Sequence, residues 1–451
     1  MKKIVNPKEV INSSVISPGT RIYCAGNAAT PQVLLKYICE DTSIRDIDMI
    51  SVLLLGEIDQ LFSEETCSRI DHRVIFNGPL SRHAVNSGWA NYQLLHLSDI
   101  PRQVREYLKP DMVFISVSGP DNGGNFSLGT SVEGVLAAIQ IAKKNNGIVI
   151  AERNARMPFV LGTTINEESI DYLVDCDYIM PLSPVKTPDD RAKKIADLIA
   201  HLYIEDGSTL QYGIGEVPEA VTDSIIEKGV KDLGIHTELL ADAMIKLIEK
   251  GIVTNNYMDN RFSIATLFLS GKLGGYAWFD YNSSVQSRPS DQTNNILNIA
   301  RQPKMVAINS AVGVDLHGNI WADSMYANQI YSGVGGQSDF LRGAHLSEGG
   351  TPIIAMKSTT QKGVSKIIDQ CPAGITTTAI SADPVIIVTE YGAFNPRGLS
   401  ITEHAIGIAH LAKPEIRDIL LRHIFDSGVF HKPPEALQRG IPKGFFPYEK
   451  L

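Results

Sequence analysis

The chain has 451 residues, of which 43% are apolar and 20% are charged, and its formal net charge is −9. Single hydrophobic cores stop growing near about 250–300 residues, so this length predicts two domains. The composition excludes disordered, collagen-like and coiled-coil chains, and an acidic chain without a basic block is a poor candidate for nucleic-acid binding. We find no apolar run of about 18–20 residues, and we therefore expect no membrane-spanning helix and no signal peptide.

Short, continuously apolar runs alternate along the chain with stretches of helical periodicity. The runs are too apolar for a half-exposed sheet and predict strands of buried, largely parallel sheets at 112–117, 147–152, 304–310, 352–356 and 384–389. The predicted helices cover 132–144, 189–204, 218–228, 238–250 and 402–411. This alternation predicts an α/β fold in which helices cover the faces of open sheets.

Two segments of the first half recur in the second half at nearly one offset. Residues 18–31 and 206–218 each predict a turn, a strand, a glycine-containing loop and a helix with proline in its first turn. Residues 121–126 and 315–320 both predict a hairpin turn. Chance similarity between glycine-rich turns is the alternative explanation. The repeat predicts two related α/β domains, residues 1–205 and residues 206–451.

Glycine-rich loops in the second half are candidate ligand sites, because glycine lets the backbone approach a ligand closely. Gly213-Ile214-Gly215 follows a predicted strand and opens a helix whose free N–H groups suit an anion, although a tight structural turn is the alternative. The denser cluster at 333–340 favours substrate contact. The polar segment 357–362 fits either a phosphate-bearing ligand or a solvated loop.

Glu238 is the carboxylate with the clearest catalytic potential. The segment 234–251 predicts a helix with Thr237 as its N-cap and Gly251 at its end. Glu238 would then lie in the first turn, where the helix dipole favours an ionised side chain. An ionised carboxylate can act as a nucleophile toward an acyl group, and the alternative is a residue that merely suits the dipole.

Motifs for other kinds of catalysis are missing from the sequence. The eleven histidines show no metal-binding spacing and there is no Gly-x-Ser-x-Gly motif, so we expect neither a metal site nor a serine triad. The five cysteines lie far apart without a Cys-x-x-Cys pair. They predict reduced core residues in a cytoplasmic protein.

Five segments, taken in order, resemble the acetyl-CoA hydrolase/transferase group of family I CoA-transferases, in particular its 4-hydroxybutyrate and butyrate CoA-transferases. They are GIGEVPEAV (213–221), LGIHTELLADAMIKLIEKGIVT (233–254), MVAINSAVGVDLHGNIWADS (305–324), YSGVGGQSDFLRGA (331–344) and VTEYGAFNPRG (388–398). The resemblance extends from about residue 18 to residue 420. It implies two open α/β domains with the active site between them.

The resemblance also implies a ping-pong reaction in which Glu238 is the nucleophile and coenzyme A is a substrate, without a prosthetic group. It implies that the Gly213–Gly215 loop stabilises an oxyanion and that Phe76 lines the acyl pocket, for which a core position is the alternative. The positions implied to contact coenzyme A are Gly213, Ile214, Gly215, Glu216, Val217, Val312, Gly335 and Gly336. Relatives further suggest a homodimer or larger assembly that acts on small molecules.

The sequence departs from many relatives at two places near these positions. Glu216 stands where they carry a small residue, and Gly313 stands where they carry Glu. Arg153 and Arg156 fit either the second carboxylate of a diacid substrate or surface salt bridges. We therefore predict CoA transfer between a short-chain acyl-CoA and a small carboxylate. The alternatives are an acyl-CoA hydrolase and a catalytically silent CoA-binding protein, and the intact Glu238 argues against the latter.

Overall fold

The computed structural model of the protein describes residues 1–4, 6–183, 185–431 and 440–451. Its first half contains β1 (Lys2–Ile4), β2 (Arg21–Cys24), α1 (Gln32–Glu40), β3 (Ile47–Ser51), α2 (Glu64–Cys67), β4 (Ile70–Val74), α3 (Arg82–Asn86), β5 (Asn91–Tyr92), α4 (Ile100–Gln103), β6 (Met112–Val117), β7 (Asn125–Ser127), α5 (Val135–Lys144), β8 (Ile148–Asn154), β9 (Thr164–Asn166), β10 (Tyr172–Cys176) and α6 (Asp190–Tyr203).

The second half contains β11 (Thr209–Tyr212), α7 (Glu216–Lys228), β12 (Gly234–Leu240), α8 (Asp242–Glu249), β13 (Ser263–Phe268), β14 (Val285–Ser287), α9 (Ser290–Thr293), α10 (Ile296–Ala300), β15 (Met305–Asn309), β16 (Gly313–Asp315), β17 (Ile320–Trp321), β18 (Ser324–Tyr326), β19 (Gln329–Ile330), α11 (Gln337–Leu346), β20 (Thr351–Ala355), β21 (Ile367–Ile368), β22 (Ile386–Thr389), β23 (Gly392–Phe394), α12 (Ile401–His410), α13 (Pro414–Asp426) and β24 (Phe445–Pro447).

Each half builds one large, mostly parallel sheet. The first sheet has the order β1-β10-β8-β6-β2-β3-β4-β5, and all of its neighbouring strands are parallel. The second has the order β14-β13-β12-β11-β15-β20-β22-β23-β24, and only its last two pairings, β22 with β23 and β23 with β24, are antiparallel. Buried parallel strands explain the continuous apolar runs, because both faces of such a sheet are covered by helices.

The two sheets repeat one topology. Seven strands in a row follow the same sequence-order pattern, in which the first strand (β2 or β11) lies in the middle. The next three strands along the chain extend to one side, and the following three extend to the other side. Such agreement is not expected by chance from glycine-rich turns. It confirms the prediction of two related open α/β domains.

The predicted hairpin turns share their hydrogen bonds as well as their sequence. The Asp121 carboxylate accepts hydrogen bonds from the backbone N–H groups of residues 123 and 125, and Asp315 accepts from those of residues 317 and 319. Each turn has a glycine with positive φ, Gly124 at 78° and Gly318 at 84°. The same Asx turn therefore occupies the same place in both repeats.

The predicted helix at 238–250 is wrong in its first turns. Residues 234–240 form β12, which pairs with β11 and β13, and α8 begins only at Asp242. Glu238 therefore lies on a strand, and Thr237 caps no helix. The error arose because three polar residues in this strand break the apolar run that is typical of a buried parallel strand. The end of the helix is as predicted, since Gly251 follows α8 with φ of 67°.

The predicted boundary at 205/206 falls in the turn between α6 and β11, and it stays a prediction. Helix α6 packs on the second sheet, where Ile195 and Ile199 share a core with Leu210 and Val221. The two halves also contact each other directly. The backbone N–H of Val132 donates to the carbonyl of Thr266, and that of Phe268 donates to the carbonyl of Thr130.

Within the described residues, no helix is long and apolar enough to cross a membrane. All five cysteines are unpaired, with Cys24 and Cys39 buried and the other three half-buried. No cluster of three or more potential metal ligands occurs in the described part of the chain.

Candidate active site

Strand β12 carries Glu238 on the face that lies against α9 and α11. Alternate side chains of a strand point to one face, so Glu238 shares its face with His236. The His236 ring is buried against Phe340 of α11, and its Nε2 lies 2.7 Å from the carbonyl oxygen of Thr293 in α9. Burial lowers the pKa of His236 to about 4, so the ring is uncharged at neutral pH. Glu238, two residues further on, stays partly exposed.

Two N–H groups lie at the Glu238 carboxylate. Asn294 donates from Nδ2 to Oε2 over 2.9 Å, and the backbone N–H of Gly336 lies close enough to act against the rise in its pKa. Burial raises the pKa of Glu238 to about 7, the nearby Asp339 charge acts in the same direction, and the two N–H groups act against it. The carboxyl group therefore titrates close to neutral pH, where a substantial fraction is ionised.

The glycine cluster at 333–340 approaches this carboxylate closely. A Cβ at Gly336 would overlap Oε2 of Glu238 and Nδ2 of Asn294. A Cβ at Gly333 would lie 2.7 Å from Cδ2 of Phe76, and one at Gly335 would lie 3.2 Å from Cε2 of the same ring. The glycines are needed because the loop runs between Glu238 on one side and Phe76 of the first half on the other.

The first half supplies a short segment to this loop. The backbone N–H of Leu97 donates to the carbonyl of Gly335 over 3.1 Å. Ser98 donates to the Asp339 carboxylate from its backbone N–H over 3.2 Å and from its hydroxyl over 2.8 Å. Phe76 is half-buried, and it packs on the edge of a core of the first half. Glu238 thus lies at the junction of the two domains.

Sequence analysis missed three of these residues. Ser98, Asn294 and Asp339 surround Glu238, directly or through one another. Asp339 lies in the glycine-rich segment that the sequence singled out, and this segment was the only signal for it. Ser98 and Asn294 belong to no motif, and only the fold brings them to the site.

The loop Gly213-Ile214-Gly215 follows β11, the strand beside β12. Because the two strands are parallel, the loop lies at the same sheet edge as Glu238. A Cβ at Gly213 or Gly215 would meet no atom of the chain within 4 Å, and the Ile214 side chain is exposed. Gly215 has φ of 127° and precedes the first residue of α7. Among the described residues, both glycines therefore border open space at the start of α7.

Other predicted CoA-contacting residues lie near this loop. Glu216 begins α7 and forms an ion pair with Lys357, which also binds Asp189 over 2.9 Å. Val217 is half-buried against the core. Val312 follows β15, the strand on the other side of β11, and its backbone N–H donates to the carbonyl of Trp321 over 2.8 Å. Among the described residues, no hydrogen bond or ion pair joins Glu216, Val217 or Val312 to Glu238.

The structure gives local surroundings for Gly313 and for the two arginines that the sequence analysis singled out. The Trp321 indole lies against Gly313, where a Cβ would overlap the ring, so this chain has no room there for a Glu side chain. Arg153 donates to Asp175 over 2.6 Å and Arg156 donates to Asp177 over 2.7 Å. These two arginines therefore form the surface salt bridges that the sequence left as one of two possibilities.

Comparison with known proteins identifies the family. The acetyl-CoA hydrolase/transferase N-terminal domain model matches residues 1–184, and the corresponding C-terminal domain model matches residues 271–424. The chain is 34% identical to the 4-hydroxybutyrate coenzyme A transferase of Clostridium kluyveri over 93% of this chain and 96% of the relative. It is 33% identical to the butyryl-CoA:acetate CoA-transferase of Anaerostipes caccae, covering 76% and 78% of the two chains.

Two further comparisons extend this result. The crystal structure of RipA from Yersinia pestis is 31% identical and superimposes with a TM-score of 0.87, covering 95% of this chain and 98% of that chain. A more distant relative, at 25% identity over 79% of this chain and 74% of its own length, is the acetyl-CoA hydrolase of Neurospora crassa.

The chain belongs to the acetyl-CoA hydrolase/transferase family. It is an enzyme of the CoA-transferase type.

Proposed function

We propose that the protein transfers coenzyme A between a short-chain acyl-CoA and a small carboxylate, with Glu238 as the nucleophile. The carrying observation is a partly exposed carboxylate at the domain junction, held by a hydrogen bond from Asn294, whose pKa burial raises to about 7. The relatives named above act on such substrates. The partial exposure of Glu238 supports attack on a substrate, because a fully sealed carboxylate would not reach a thioester.

The proposed reaction needs no external energy source. A Glu238 oxygen attacks the thioester carbonyl, the C–S bond breaks, and an acyl-glutamyl anhydride and CoA thiolate form. The thiolate then attacks the glutamyl carbonyl, which releases the first carboxylate and leaves a glutamyl-CoA thioester. An incoming carboxylate reverses these steps and departs as the new acyl-CoA. Each step exchanges one carbonyl substituent for another, so no oxidant and no net proton is required.

We propose that coenzyme A contacts Gly213–Val217, Val312, Gly335 and Gly336. The unobstructed space at Gly213 and Gly215 supports close backbone approach by a ligand, and the free N–H groups at the start of α7 suit an oxyanion. Gly335 and Gly336 belong to the loop that touches Glu238. Within this segment, the Glu216 side chain forms an ion pair with Lys357.

We further propose that Phe76 forms one wall of the acyl pocket. Its ring lies against the glycine loop that contacts Glu238, which supports a place within reach of the acyl group. Its partial exposure also supports this role over a purely structural one. A wall of this size would favour short acyl chains.

Hydrolysis is the second candidate, because one relative of this chain is an acetyl-CoA hydrolase. The two reactions share the glutamyl-CoA intermediate and differ only in whether a carboxylate or water attacks it. A pocket that excludes water favours transfer. The cytoplasmic location, the homo-oligomeric state and the lack of a prosthetic group stay predictions.

The test is to trap the intermediate. The enzyme is incubated with butyryl-CoA, treated with borohydride and digested, and the peptide containing residue 238 is examined by mass spectrometry. We expect reduction of the Glu238 side chain to an alcohol in the wild type and no change in the Glu238→Ala variant. Reduction at another carboxylate, or none, would contradict the proposal. Release of free CoA with and without acetate then separates transfer from hydrolysis.

A further inference from the structure

A second carboxylate, Asp339, lies behind the residues that hold Glu238. It occupies the first turn of α11 and is almost fully buried, with 3% of its surface exposed. Ser98 of the first half donates two hydrogen bonds to it, one to each carboxylate oxygen. The turn 97–99 that carries Ser98 also packs against α9, the helix that ends just before Asn294. The turn 97–99 of the first domain thus contacts both α9 and α11 of the second domain.

The Asn294 amide lies between the two carboxylates. Its Nδ2 donates to Oε2 of Glu238 over 2.9 Å, and the amide lies close enough to Asp339 to act against the rise in the pKa of that carboxyl group. Its Oδ1 is buried and has no hydrogen-bond partner among the described residues. An amide nitrogen carries two hydrogens, so it can serve two carboxylates at once. Rotating the amide by half a turn would place its oxygen against both carboxylates, which is unfavourable.

We propose that Ser98 and Asp339 are positioning residues that fix the Asn294 amide with its N–H toward Glu238. This inference rests on the proposed function of Glu238. Asp339 selects the orientation of the amide, because only that orientation presents the amide N–H groups to Asp339 instead of the amide oxygen. Ser98 holds Asp339 in place from the first domain. The geometry of the nucleophile therefore depends on correct docking of the two domains.

The charges around the site give the proposal a pH signature. Asp339 lies near Glu238, the buried His236 on the same strand is uncharged, and His96 lies near Asp339. Burial is the main cause that raises the pKa of Glu238, and the Asp339 charge raises it further. Removing that charge should lower the pKa of Glu238. The acid limb of the kcat/KM profile would then move to lower pH.

The first experiment uses Asp339→Asn, which keeps the shape and removes the charge. We expect kcat to fall by about 10- to 100-fold, because a misplaced reacting group costs rates of this order. We also expect the acid limb of the kcat/KM profile to move below that of the wild type. A loss of activity with an unmoved acid limb would overturn the proposal, because Asp339 would then not act on the Glu238 carboxyl group.

The second experiment tests Ser98 and covers the case in which Asp339→Asn does not fold. We expect Ser98→Ala to lower kcat about 3- to 10-fold with KM unchanged, and Ser98→Thr to restore it, because threonine keeps the hydroxyl. The matched control is Arg105→Ala, which breaks an ion pair of 2.9 Å between the first half and Asp291 of α9. The control should keep wild-type kcat.

Equal losses in Ser98→Ala and Arg105→Ala would overturn the proposal, because domain contact alone would then explain both. Wild-type kcat in Ser98→Ala would overturn it as well. Failure of the proposed function itself is distinguishable, since Glu238→Ala would then retain activity. Loss of activity in Glu238→Ala with no effect of Ser98→Ala or Asp339→Asn would refute only the positioning roles.

Discussion

The two domains share a strand order but differ in the loop that follows the middle strand, which is β2 in the first domain and β11 in the second. In the first domain, the loop after β2 is buried, and the backbone N–H of Asn27 donates to the carbonyl of Leu53. The N–H of Leu34, in the first turn of α1, donates to the buried Glu152 carboxylate over 2.6 Å. In the second domain, the corresponding loop is open and the N-terminus of α7 faces free space.

This difference shows how one topology serves two purposes. A helix N-terminus at the carboxyl edge of a parallel sheet attracts an anion. The first domain fills that position with its own carboxylate, Glu152, which is also 2.9 Å from the Tyr178 hydroxyl. The second domain leaves it for a ligand in the proposed function. The first domain therefore closes this position with its own side chain, and in the proposed function the second domain keeps it open for the substrate.

The largest effect should come from replacing Glu238 of the second domain, compared with replacing Glu152 of the first domain. We expect Glu238→Ala to lower kcat by roughly 10³-fold or more, because the proposed reaction loses its nucleophile. Glu152→Gln, which removes a carboxylate from the other domain, should keep wild-type kcat. The measurement is CoA transfer from butyryl-CoA to acetate, with the melting temperature as a check on folding. Substantial activity in Glu238→Ala would exclude it as the nucleophile.

The buried carboxyl groups of Glu133 and Glu152 should govern how the free energy of unfolding changes with pH. Burial raises the pKa of both Glu133 and Glu152 from 4.5 to about 7. A folded-state pKa above the unfolded one means that folding favours the protonated form. Each group therefore contributes its full stability below pH 4.5 and loses it as pH rises through about 7. The loss is on the order of 3 kcal/mol for each group.

The check is the melting temperature at several pH values between 4.5 and 8. The wild type should become less stable across this range, and Glu133→Gln or Glu152→Gln should each reduce the slope. Glu64→Gln, at an exposed position in the first turn of α2, is the control and should leave the slope unchanged. Parallel curves for the wild type and both buried variants would show that these carboxyl groups are ionised at low cost.

One glycine from each of the two loops provides a smaller contrast. A Cβ at Gly26 would lie 2.6 Å from the carbonyl oxygen of Leu53, whereas one at Gly213 would meet nothing within 4 Å. We expect Gly26→Ala to cost about 1–3 kcal/mol of stability and to leave KM for acyl-CoA unchanged. Gly213→Val should keep the melting temperature and raise that KM about tenfold, since the bulk would enter the proposed CoA space.

Gly215→Val is a less clear test of the same loop. Gly215 has φ of 127°, which strains any residue with a Cβ, so a loss of activity there would mix strain with obstruction. Unchanged KM in Gly213→Val would instead show that the loop is a structural turn.

The same contrast explains how far sequence reasoning could go. The parallel strands could be predicted because burial on both faces makes them continuously apolar, as in 112–117, which matches β6. Strand β12 could not, because His236, Thr237 and Glu238 place polar site residues inside a buried strand. The residues around Glu238 come from positions 98, 294 and 339, and no local pattern records that the fold brings them together.

The smallest predicted effect concerns the proposed acyl pocket, which lies where Phe76 of the first domain meets the glycine loop of the second. Phe76 lies against Gly333 and Gly335 and is half-buried. If its ring limits the acyl chain, Phe76→Ala should raise kcat/KM for hexanoyl-CoA relative to acetyl-CoA. Each methylene newly admitted is worth about 0.8 kcal/mol. A fully buried Phe would instead cost about 3–5 kcal/mol of stability on truncation.

Both quantities are measurable on one variant. A chain-length series from acetyl-CoA to hexanoyl-CoA gives the ratio of kcat/KM values, and thermal unfolding gives the stability. Phe62→Ala is the matched control. Phe62 is buried in a core of the first domain, where its ring stacks on His72. The control should lower stability and leave the ratio alone. If Phe76→Ala behaves in the same way, Phe76 is a core residue and the acyl chain is limited by other side chains.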